Sequence, residues 1–173
     1  MNNLQLRDAR EVDRKAIQAV TLSAYEQYAL PLNGMWELYR ANILSTLADV
    51  KPAAQIVAET NDGIVATVLL YPAGTQFHTP DGTSMTLLLP EIRLLAVTPR
   101  ARGQGIATAL VQECIHRARQ SGAAAITLHT TDMMDVAMRM YERMGFVHES
   151  EFDFVPAPGY VAKGFRLDLN VLR

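Results

Sequence analysis

The sequence predicts one mixed α/β domain: a central twisted sheet of mostly antiparallel strands with one parallel pair, and helices on both faces. Three observations lead to this prediction. β-Branched segments joined by short turns predict antiparallel hairpins. A strand–helix–strand unit over residues 86–129 predicts the parallel pair. The length, 173 residues, suits one domain, so residues 1–173 are expected to form a single unit.

Composition and charge resemble those of an ordinary water-soluble protein. The chain is 49% hydrophobic and 20% charged, with a net charge of −2. It lacks the basic balance of a nucleic-acid binder, and no apolar segment approaches the ~20 residues that cross a bilayer. Its charged N-terminus lacks a signal peptide's apolar core, and Cys114 is its single cysteine. We therefore expect a cytoplasmic protein without disulfides, nucleic-acid partners or membrane partners.

The first part of the chain predicts a strand, two helices and a hairpin. Alternating polarity indicates the first strand, and apolar residues at helical spacing indicate the helices. Pro31 and Gly34 separate the two helices, while Asn61-Asp62-Gly63 is typical of a tight hairpin turn. The predicted elements are a strand at 4–9, helices at 11–28 and 35–48, and strands at 55–60 and 64–71.

The second part predicts the parallel unit and a final strand pair. Pro90 interrupts its first strand, and Gly122 and Gly145 stand where helix-ending glycines belong. Cys114 falls on the apolar stripe of the long helix and is expected to be buried. The predicted elements are a turn-rich segment at 74–82, strands at 86–97, 125–129, 146–155 and 159–169, and helices at 104–121 and 135–144.

The segment RARGQG, residues 100–105, is the strongest candidate binding site. It leads into a helix N-terminus, whose unpaired N–H groups and partial positive charge attract anions. Its glycines would let the backbone approach a phosphate, and its arginines add charged donors. No P-loop is present, and GQGIAT matches only two glycines of a dinucleotide fingerprint. A tight structural connection with solvated arginines is the alternative.

Two motifs resemble those of the GNAT superfamily of N-acetyltransferases. Residues 100–107 are similar to its R/Q-x-x-G-x-G/A signature, and residues 137–146 to its A-x-x-L/F-Y-E-x-x-G-F segment. The resemblance implies a GNAT-like acyl-CoA N-acyltransferase fold and acetyl-CoA as acyl donor, with no metal. The residues it implies for binding acetyl-CoA, by pyrophosphate and pantetheine arm, are Leu95, Ala96, Val97, Arg100, Arg102, Gly103, Gln104, Gly105, Ile106, Ala107 and Thr108.

The same resemblance implies two catalytic residues, Glu91 as general base and Tyr141 as general acid. A strand carboxylate serves several family members as base, although an ion pair with Arg93 on the same strand face would explain Glu91 equally well. A phenol is protonated at neutral pH and can donate to a departing thiolate. Tyr141 would also suit simple packing on its helix.

One position departs from the family pattern. Many relatives carry Asn seven residues before the tyrosine, where this chain has Met134. The contact with the cofactor arm would be weakened or pass to Asp132 or Asp135, each of which also suits a helix N-cap. The histidines show no metal-ligand spacing, and His129 is expected to be a hydrogen-bonded structural residue.

The acceptor site is expected to be aromatic. In the family, the region after the first strand covers the acceptor and the last strand pair forms the opposite wall. The predicted acceptor-binding residues are Tyr25, Tyr28, Trp36 and Tyr160, with Phe152 and Phe154 as further wall residues. The resemblance implies a small amine or a peptide as acceptor and allows a homodimer. Two alternatives stay open: a non-catalytic acyl-CoA-binding or sensing domain, and an acyltransferase with a longer acyl donor or a hydroxyl acceptor.

Overall fold

The computed structural model describes residues 4–78 and 84–170, so residues 79–83 of the predicted turn-rich segment lie outside the described residues. The chain divides into two compact units. The first unit contains residues 1–70 and 94–113, and the second contains residues 71–93 and 114–173. A single domain over residues 1–173 stays a prediction. Within the described ranges, no helix is long and apolar enough to cross a membrane.

The first unit combines an antiparallel sheet with helices. Strand β2 pairs with β1 on one side and with β3 on the other. Its elements are β1 (Gln5–Asp8), α1 (Arg14–Tyr25), α2 (Ala29–Leu32), α3 (Trp36–Ala48), β2 (Ala54–Thr60) and β3 (Gly63–Tyr71). The end of strand β6 (Glu91–Val97) and the start of helix α4 (Ile106–Gln120) also belong to this unit.

Local backbone conformation explains the turns of the first unit. Gly63 takes φ +97° and closes the β2–β3 hairpin, as the Asp-Gly pair predicts. Between α1 and α3 the chain does not simply break at Pro31. It forms one short helical turn, α2, which ends where Asn33 takes φ 46°. Asn tolerates this left-handed conformation better than most residues.

The second unit contains the parallel pair and the last antiparallel strands. Its further elements are β4 (Gln76–His78), β5 (Ser84–Thr86), β7 (Ala125–Thr130), α5 (Asp135–Arg143), β8 (Val147–His148), β9 (Phe154–Ala157) and β10 (Tyr160–Asp168). Strands β4 and β5 form a separate hairpin. Strand β6 pairs in parallel with β7, with Glu91 opposite Thr127. Strand β10 pairs antiparallel with β7, β8 and β9.

These pairings confirm the predicted fold class, a mixed α/β fold of mostly antiparallel strands with one parallel pair and flanking helices. Strands β6 and β7 form the parallel pair, with α4 between them in the chain. Each unit buries apolar side chains of its own. The first buries Ile17, Ile43, Ile56 and Leu110, and the second buries Cys114, Ile126, Leu128 and Phe165. The expected burial of Cys114 is therefore confirmed.

The predicted strand at 146–155 is wrong in its middle. After β8 the chain makes a turn at Ser150–Phe152 before β9 begins. The Asp153 carboxylate accepts a hydrogen bond from the Gly164 N–H at 2.8 Å, which ties this turn to β10. A Cβ on Gly164 would overlap Phe152, so only glycine permits this approach. The partner that holds the turn lies on another strand, where a local pattern does not reveal it.

The predicted strand at 86–97 is interrupted over more than Pro90. Residues 87–90 lie outside any strand, and β6 begins only at Glu91. Within β6, Leu94 takes φ 48°, a conformation that is rare for a residue with a branched side chain. The strand therefore has an irregularity four residues after Pro90, three residues before it ends at Val97.

Candidate active site

The turn before α4 contains two glycines in left-handed backbone conformations. Gly103 takes φ +74° and Gly105 takes φ +76°, and Ile106 begins the helix. A Cβ built on either glycine meets no protein atom within 4 Å. The backbone of this turn is therefore open, and the first N–H groups of a helix have no partner within the helix. The helix starts two residues later than predicted, because both glycines adopt left-handed conformations.

The two arginines of this turn have different surroundings. The Arg102 guanidinium donates to the backbone carbonyl oxygen of Ala24 at 3.0 Å and to Gln27 Oε1 at 3.3 Å. Its Nε lies 3.4 Å from the Val97 carbonyl oxygen. Both arginines are exposed, but only Arg102 makes these contacts, which connect the turn to the end of α1. Of the two predicted phosphate donors, Arg100 is the more available.

The predicted aromatic residues of the first unit form one cluster. Tyr25 lies 5.9 Å from Tyr28 and 6.0 Å from Tyr39 between ring centroids, and Trp36 lies 6.4 Å from Tyr39. The Tyr25 hydroxyl donates to the Leu95 carbonyl oxygen on β6 at 3.3 Å. Tyr39, the fourth aromatic residue of this sequence segment, joins them. Burial, together with the nearby Tyr28, raises the pKa of Tyr39 to about 12.

Glu91 is the centre of a buried polar cluster in the second unit. Only 3% of Glu91 is exposed. The Arg93 Nε donates to Glu91 Oε1 at 2.5 Å, and the Thr127 hydroxyl lies 3.5 Å from Glu91 Oε2. The sequence-based alternative of an ion pair between Glu91 and Arg93 is therefore confirmed. A buried carboxylate needs such partners, because removing a charge from water is costly.

His129 is a second cationic partner of Glu91. Its Nδ1 lies 3.4 Å from Glu91 Oε2, and its Nε2 lies 2.9 Å from the carbonyl oxygen of Phe152. Both neighbours are acceptors, and a neutral imidazole has only one N–H to donate. The doubly protonated imidazolium is the form that satisfies both contacts. Phe154 packs against the His129 ring edge-on, with a centroid distance of 5.1 Å.

These contacts shift the pKa values of Glu91 and His129 in opposite directions. Burial raises the pKa of the Glu91 carboxyl, but the hydrogen bond from His129 and the positive charge of Arg93 lower it by more. Burial lowers the pKa of His129, but the hydrogen bond and charge of Glu91 raise it by more. Glu91 is accordingly ionised at neutral pH, and His129 holds its second proton more tightly than a free histidine.

Sequence reasoning assigned His129 a structural role and missed its contact with Glu91. The sequence gives only a weak indication of this contact. A histidine that ends a strand next to the Glu91 strand can reach that carboxylate only if the two strands pair in a suitable register. Here Glu91 lies opposite Thr127, which places His129 two residues farther along on the same face.

Tyr141 lies on α5 and is 6% exposed. Its ring packs against Phe146 at a centroid distance of 5.8 Å in an edge-on arrangement.

Tyr160 begins β10 and is half-buried, and Phe154 is more exposed than Phe152. Phe152 and Phe154 both contact His129, which brings the predicted wall of the last strands next to the Glu91 cluster.

The aspartates before α5 do not cap the helix, contrary to expectation. Met134 occupies the N-cap position, and no side chain caps the first turn. The Asp132 carboxylate instead accepts from Lys163 Nζ at 2.5 Å, and Asp135 pairs with Arg139 one turn on. An ion pair with another element thus takes Asp132 away from the helix end.

Four buried threonine hydroxyls have no hydrogen-bond partner among the described residues. They are the Oγ1 atoms of Thr67 and Thr98 in the first unit, and of Thr130 and Thr131 in the second. Buried hydroxyls are normally paired, so such atoms are candidates for ligand contacts. The described residues contain no group of three or more His, Cys, Asp or Glu that could hold a metal ion.

Comparison with known proteins identifies the family. The chain matches the Acetyltransferase (GNAT) family over residues 18–146. N-acetyltransferase 8B of Rattus norvegicus is 31% identical over 125 residues, which cover 68% of this chain and 53% of that protein. The chain therefore spans about half the length of this relative.

Solved structures agree on the fold. An acetyltransferase of the GNAT family from Staphylococcus aureus Mu50 is similar with a TM-score of 0.71 at 14% identity, covering 96% of this chain and 99% of that chain. The PaiA N-acetyltransferase of Thermoplasma acidophilum, in complex with coenzyme A, gives a TM-score of 0.71 at 12% identity with the same coverage. The glycine turn, the mixed sheet and the family match lead to one conclusion: the chain belongs to the GNAT family of acetyltransferases.

Proposed function

We propose that this protein transfers an acetyl group from acetyl-CoA to a primary amine. Membership of the GNAT family supports acetyl transfer from acetyl-CoA in general. The observation that most directly supports the donor in this chain is the turn at Gly103 and Gly105, whose left-handed backbone is open to a ligand. Such a turn at a helix N-terminus suits the pyrophosphate of coenzyme A.

On the donor side, acetyl-CoA supplies an acetyl group activated as a thioester. Backbone N–H groups at residues 103–107 would hold its phosphates, with Arg100 as the exposed cation nearby. Arg102 contributes indirectly, because its bonds to Ala24 and Gln27 fix the turn against α1. The main chain of β6 at residues 95–97 would bind the pantetheine arm, and Thr108 lies in the first turn of α4.

The chemistry requires two proton transfers. The acceptor's amine nitrogen attacks the thioester carbonyl carbon, so that a C–N bond forms and the C–S bond breaks. Glu91 takes the proton that the attacking nitrogen loses, and Tyr141 donates a proton to the departing sulfur. The products are the N-acetylated acceptor and free coenzyme A. Glu91 then releases its proton to solvent, and Tyr141 is reprotonated from solvent.

The environment of Glu91 defines how it would act. Its lowered pKa keeps the carboxylate ionised, so it can attract the positive charge that develops on the attacking nitrogen. The same shift makes Glu91 a weaker proton acceptor than a free glutamate, since a good base has a pKa near the working pH. Transfer of the proton through a water molecule to solvent is consistent with both properties.

The acceptor side is proposed from the aromatic residues. Tyr25, Tyr28 and Trp36 in the first unit and Tyr160 in the second would contact the acceptor, whose apolar or cationic part suits aromatic rings. A cytoplasmic location and a homodimer also stay predictions.

The first experiment is a calorimetric titration with acetyl-CoA, acetyl-dephospho-CoA and acetyl-pantetheine. The dephospho compound retains the pyrophosphate, whereas acetyl-pantetheine lacks it. We expect the first two to bind and acetyl-pantetheine to bind at least about tenfold more weakly, because charge-assisted contacts to the pyrophosphate are lost. Equal affinity for all three would contradict a pyrophosphate site in the turn. Competition with longer acyl-CoAs tests the identity of the donor.

Thiol release in the presence of amines then separates an enzyme from a binding domain. Acetyl-CoA binding with thiol release that depends on an amine supports the proposed transfer. Binding without release for any amine or hydroxyl acceptor would support the alternative of an acyl-CoA-binding domain. The pairing of Glu91 with two cations is the feature that favours this alternative.

A further inference from the structure

Arg93 is held in one orientation by three side chains. Its Nε donates to Glu91 at 2.5 Å. The guanidinium carbon lies 3.9 Å from the ring centroid of Phe77 and 5.5 Å from that of Tyr71. Phe77 and Tyr71 pack edge-on against each other at 5.1 Å, so the aromatic support is itself fixed. A guanidinium clamped in this way loses little freedom when it binds a ligand.

The clamp uses only one of the three guanidinium nitrogens. In the described part of the chain, the terminal nitrogens of Arg93 donate to no acceptor, and 29% of the side chain is exposed. The two terminal nitrogens carry four N–H groups in a plane. This fork matches the two oxygens of a carboxylate.

Among the described residues, the charged groups around Arg93 carry a net positive charge that one more anion could neutralise. Glu91 contributes one negative charge, and Arg93 contributes one positive charge. His129 faces two acceptors, Glu91 and the Phe152 carbonyl oxygen, and so adds a second positive charge as the imidazolium. Thr127, the other polar neighbour of Glu91, is uncharged. The sum for the cluster is +1, which an incoming carboxylate would neutralise.

We propose that Arg93 binds a carboxylate of the acceptor, so that the acceptor is a small primary amine that carries a carboxylate, such as a free amino acid. This inference rests on the proposed function. Because Arg93 and Glu91 are in direct contact, an anion on the terminal nitrogens lies within a few ångströms of Glu91. An α-amino acid places its amine and its carboxylate at such a short separation, whereas the N-terminus of a peptide has no carboxylate beside it.

The test compares each free L-amino acid with its own amide as acceptor for acetyl-CoA. The two compounds differ only in the anionic group. We expect kcat/KM for the preferred amino acid to exceed that for its amide by about 10- to 100-fold, the range for a hydrogen-bonded charge. The variants are Arg93→Gln and Arg93→Lys, and Arg119→Gln at the exposed end of α4 is the matched control.

The ratio of the two kcat/KM values separates ligand binding from a structural effect. If Arg93 acts only by holding Glu91, Arg93→Gln lowers kcat/KM for the amino acid and the amide by the same factor. If Arg93 binds the carboxylate, the preference for the amino acid disappears in Arg93→Gln and persists in Arg119→Gln. Arg93→Lys keeps the charge beside Glu91, so it tests the contact even if Arg93→Gln folds poorly. We expect this variant to retain only part of the preference, because lysine lacks the planar fork.

Two outcomes would overturn the proposal: a wild-type protein that uses amides as well as it uses amino acids, or an unchanged preference in both Arg93 variants. In either case acetyl transfer itself would stand. A binding measurement tests the carboxylate site even if the protein does not transfer acetyl groups. Calorimetry with N-acetyl amino acids and N-acetyl amino-acid amides does not require turnover. We expect only the acids to bind measurably, and Arg93→Gln to abolish the difference. Equal binding of acid and amide would contradict the carboxylate site whether or not the protein is an enzyme.

Discussion

At the scale of single residues, Glu91 and His129 show how two ionisable groups in contact determine each other's charge state. Burial alone would make both groups neutral, because it penalises the charged form of each. Their 3.4 Å contact reverses this effect, and Arg93 reinforces it for Glu91. The pair is therefore expected to be ionic over a defined range of pH.

The pH range follows from the two directions of shift. The lowered pKa of Glu91 stabilises the fold above the ordinary value of 4.5, and this contribution is lost as the pH falls through the lowered value. The raised pKa of His129 stabilises the fold fully below 6.5, and this contribution is lost as the pH rises through the raised value. We expect NMR of the imidazole C–H signals to show His129 titrating above 6.5, and Glu91→Gln to lower its pKa. A wild-type His129 that titrates at or below 6.5 would contradict the ionic pair.

Tyr141 is the residue that the proposed reaction needs to protonate the departing sulfur. Tyr141→Phe removes only the hydroxyl and keeps the ring that packs on Phe146. We expect turnover to fall by about 10²- to 10⁴-fold, the usual contribution of a general acid. The dissociation constant of acetyl-CoA, measured by calorimetry, serves as the internal control and should change little. Full activity in this variant would remove Tyr141 from the mechanism.

At the scale of elements, the connection from β6 to α4 contains two unusual features: an irregular strand and a glycine turn at the start of the helix. Strand β6 carries left-handed Leu94, and the turn after it carries left-handed Gly103 and Gly105. Glycine adopts this conformation without steric cost, whereas for Leu94 it costs stability and persists only because the surroundings fix it. Strained residues of this kind concentrate at functional sites. A regular strand and a capped helix would have connected the same elements with less strain.

Two glycines allow the role of this turn to be tested with a matched control. Gly103 has φ +74° and Gly122, which follows α4, has φ +77°, and a Cβ at either position meets no protein atom within 4 Å. Replacement by alanine should therefore lower the free energy of unfolding by a similar amount in both variants, about 1 kcal/mol, through backbone strain alone. We expect Gly103→Ala to weaken acetyl-CoA binding by about tenfold or more, since a Cβ hinders the contact with phosphate.

Gly122→Ala should leave the affinity for acetyl-CoA unchanged. Calorimetry measures the affinity, and urea unfolding measures the stability of both variants. Equal affinity in the two variants would show that the glycine turn is a structural connection only.

At the scale of the whole molecule, stability comes from the apolar residues that each unit buries. Phe165 on β10 is 2% exposed and is among the largest side chains of the core. Phe165→Ala should lower the free energy of unfolding by about 3–5 kcal/mol, through lost apolar burial and the cavity that remains. Val136→Ala on exposed α5 is the control and should change it by less than about 0.5 kcal/mol. Urea unfolding of both variants checks this, and a cost for Phe165→Ala similar to the control would contradict its role in the core.

The local features of this protein can be predicted from its sequence alone. Periodicity, the Asp-Gly hairpin and the helix-ending glycines depend on neighbours within a few residues, so the main strands and helices could be predicted. The motifs at residues 100–107 and 137–146 resemble those of the GNAT family, to which the chain belongs.

Contacts between residues that are distant in the chain depend on the tertiary structure. The register of β6 against β7 places His129 beside Glu91, and the aromatic pair of Tyr71 and Phe77 holds Arg93. The turn at Ser150–Phe152 exists because Gly164, on another strand, leaves room for it. The contacts of Arg102 with Ala24 and Gln27 join residues more than 70 positions apart in the chain. These contacts depend on strand pairing and on packing across long distances in the chain, and such contacts leave no local periodicity in a sequence.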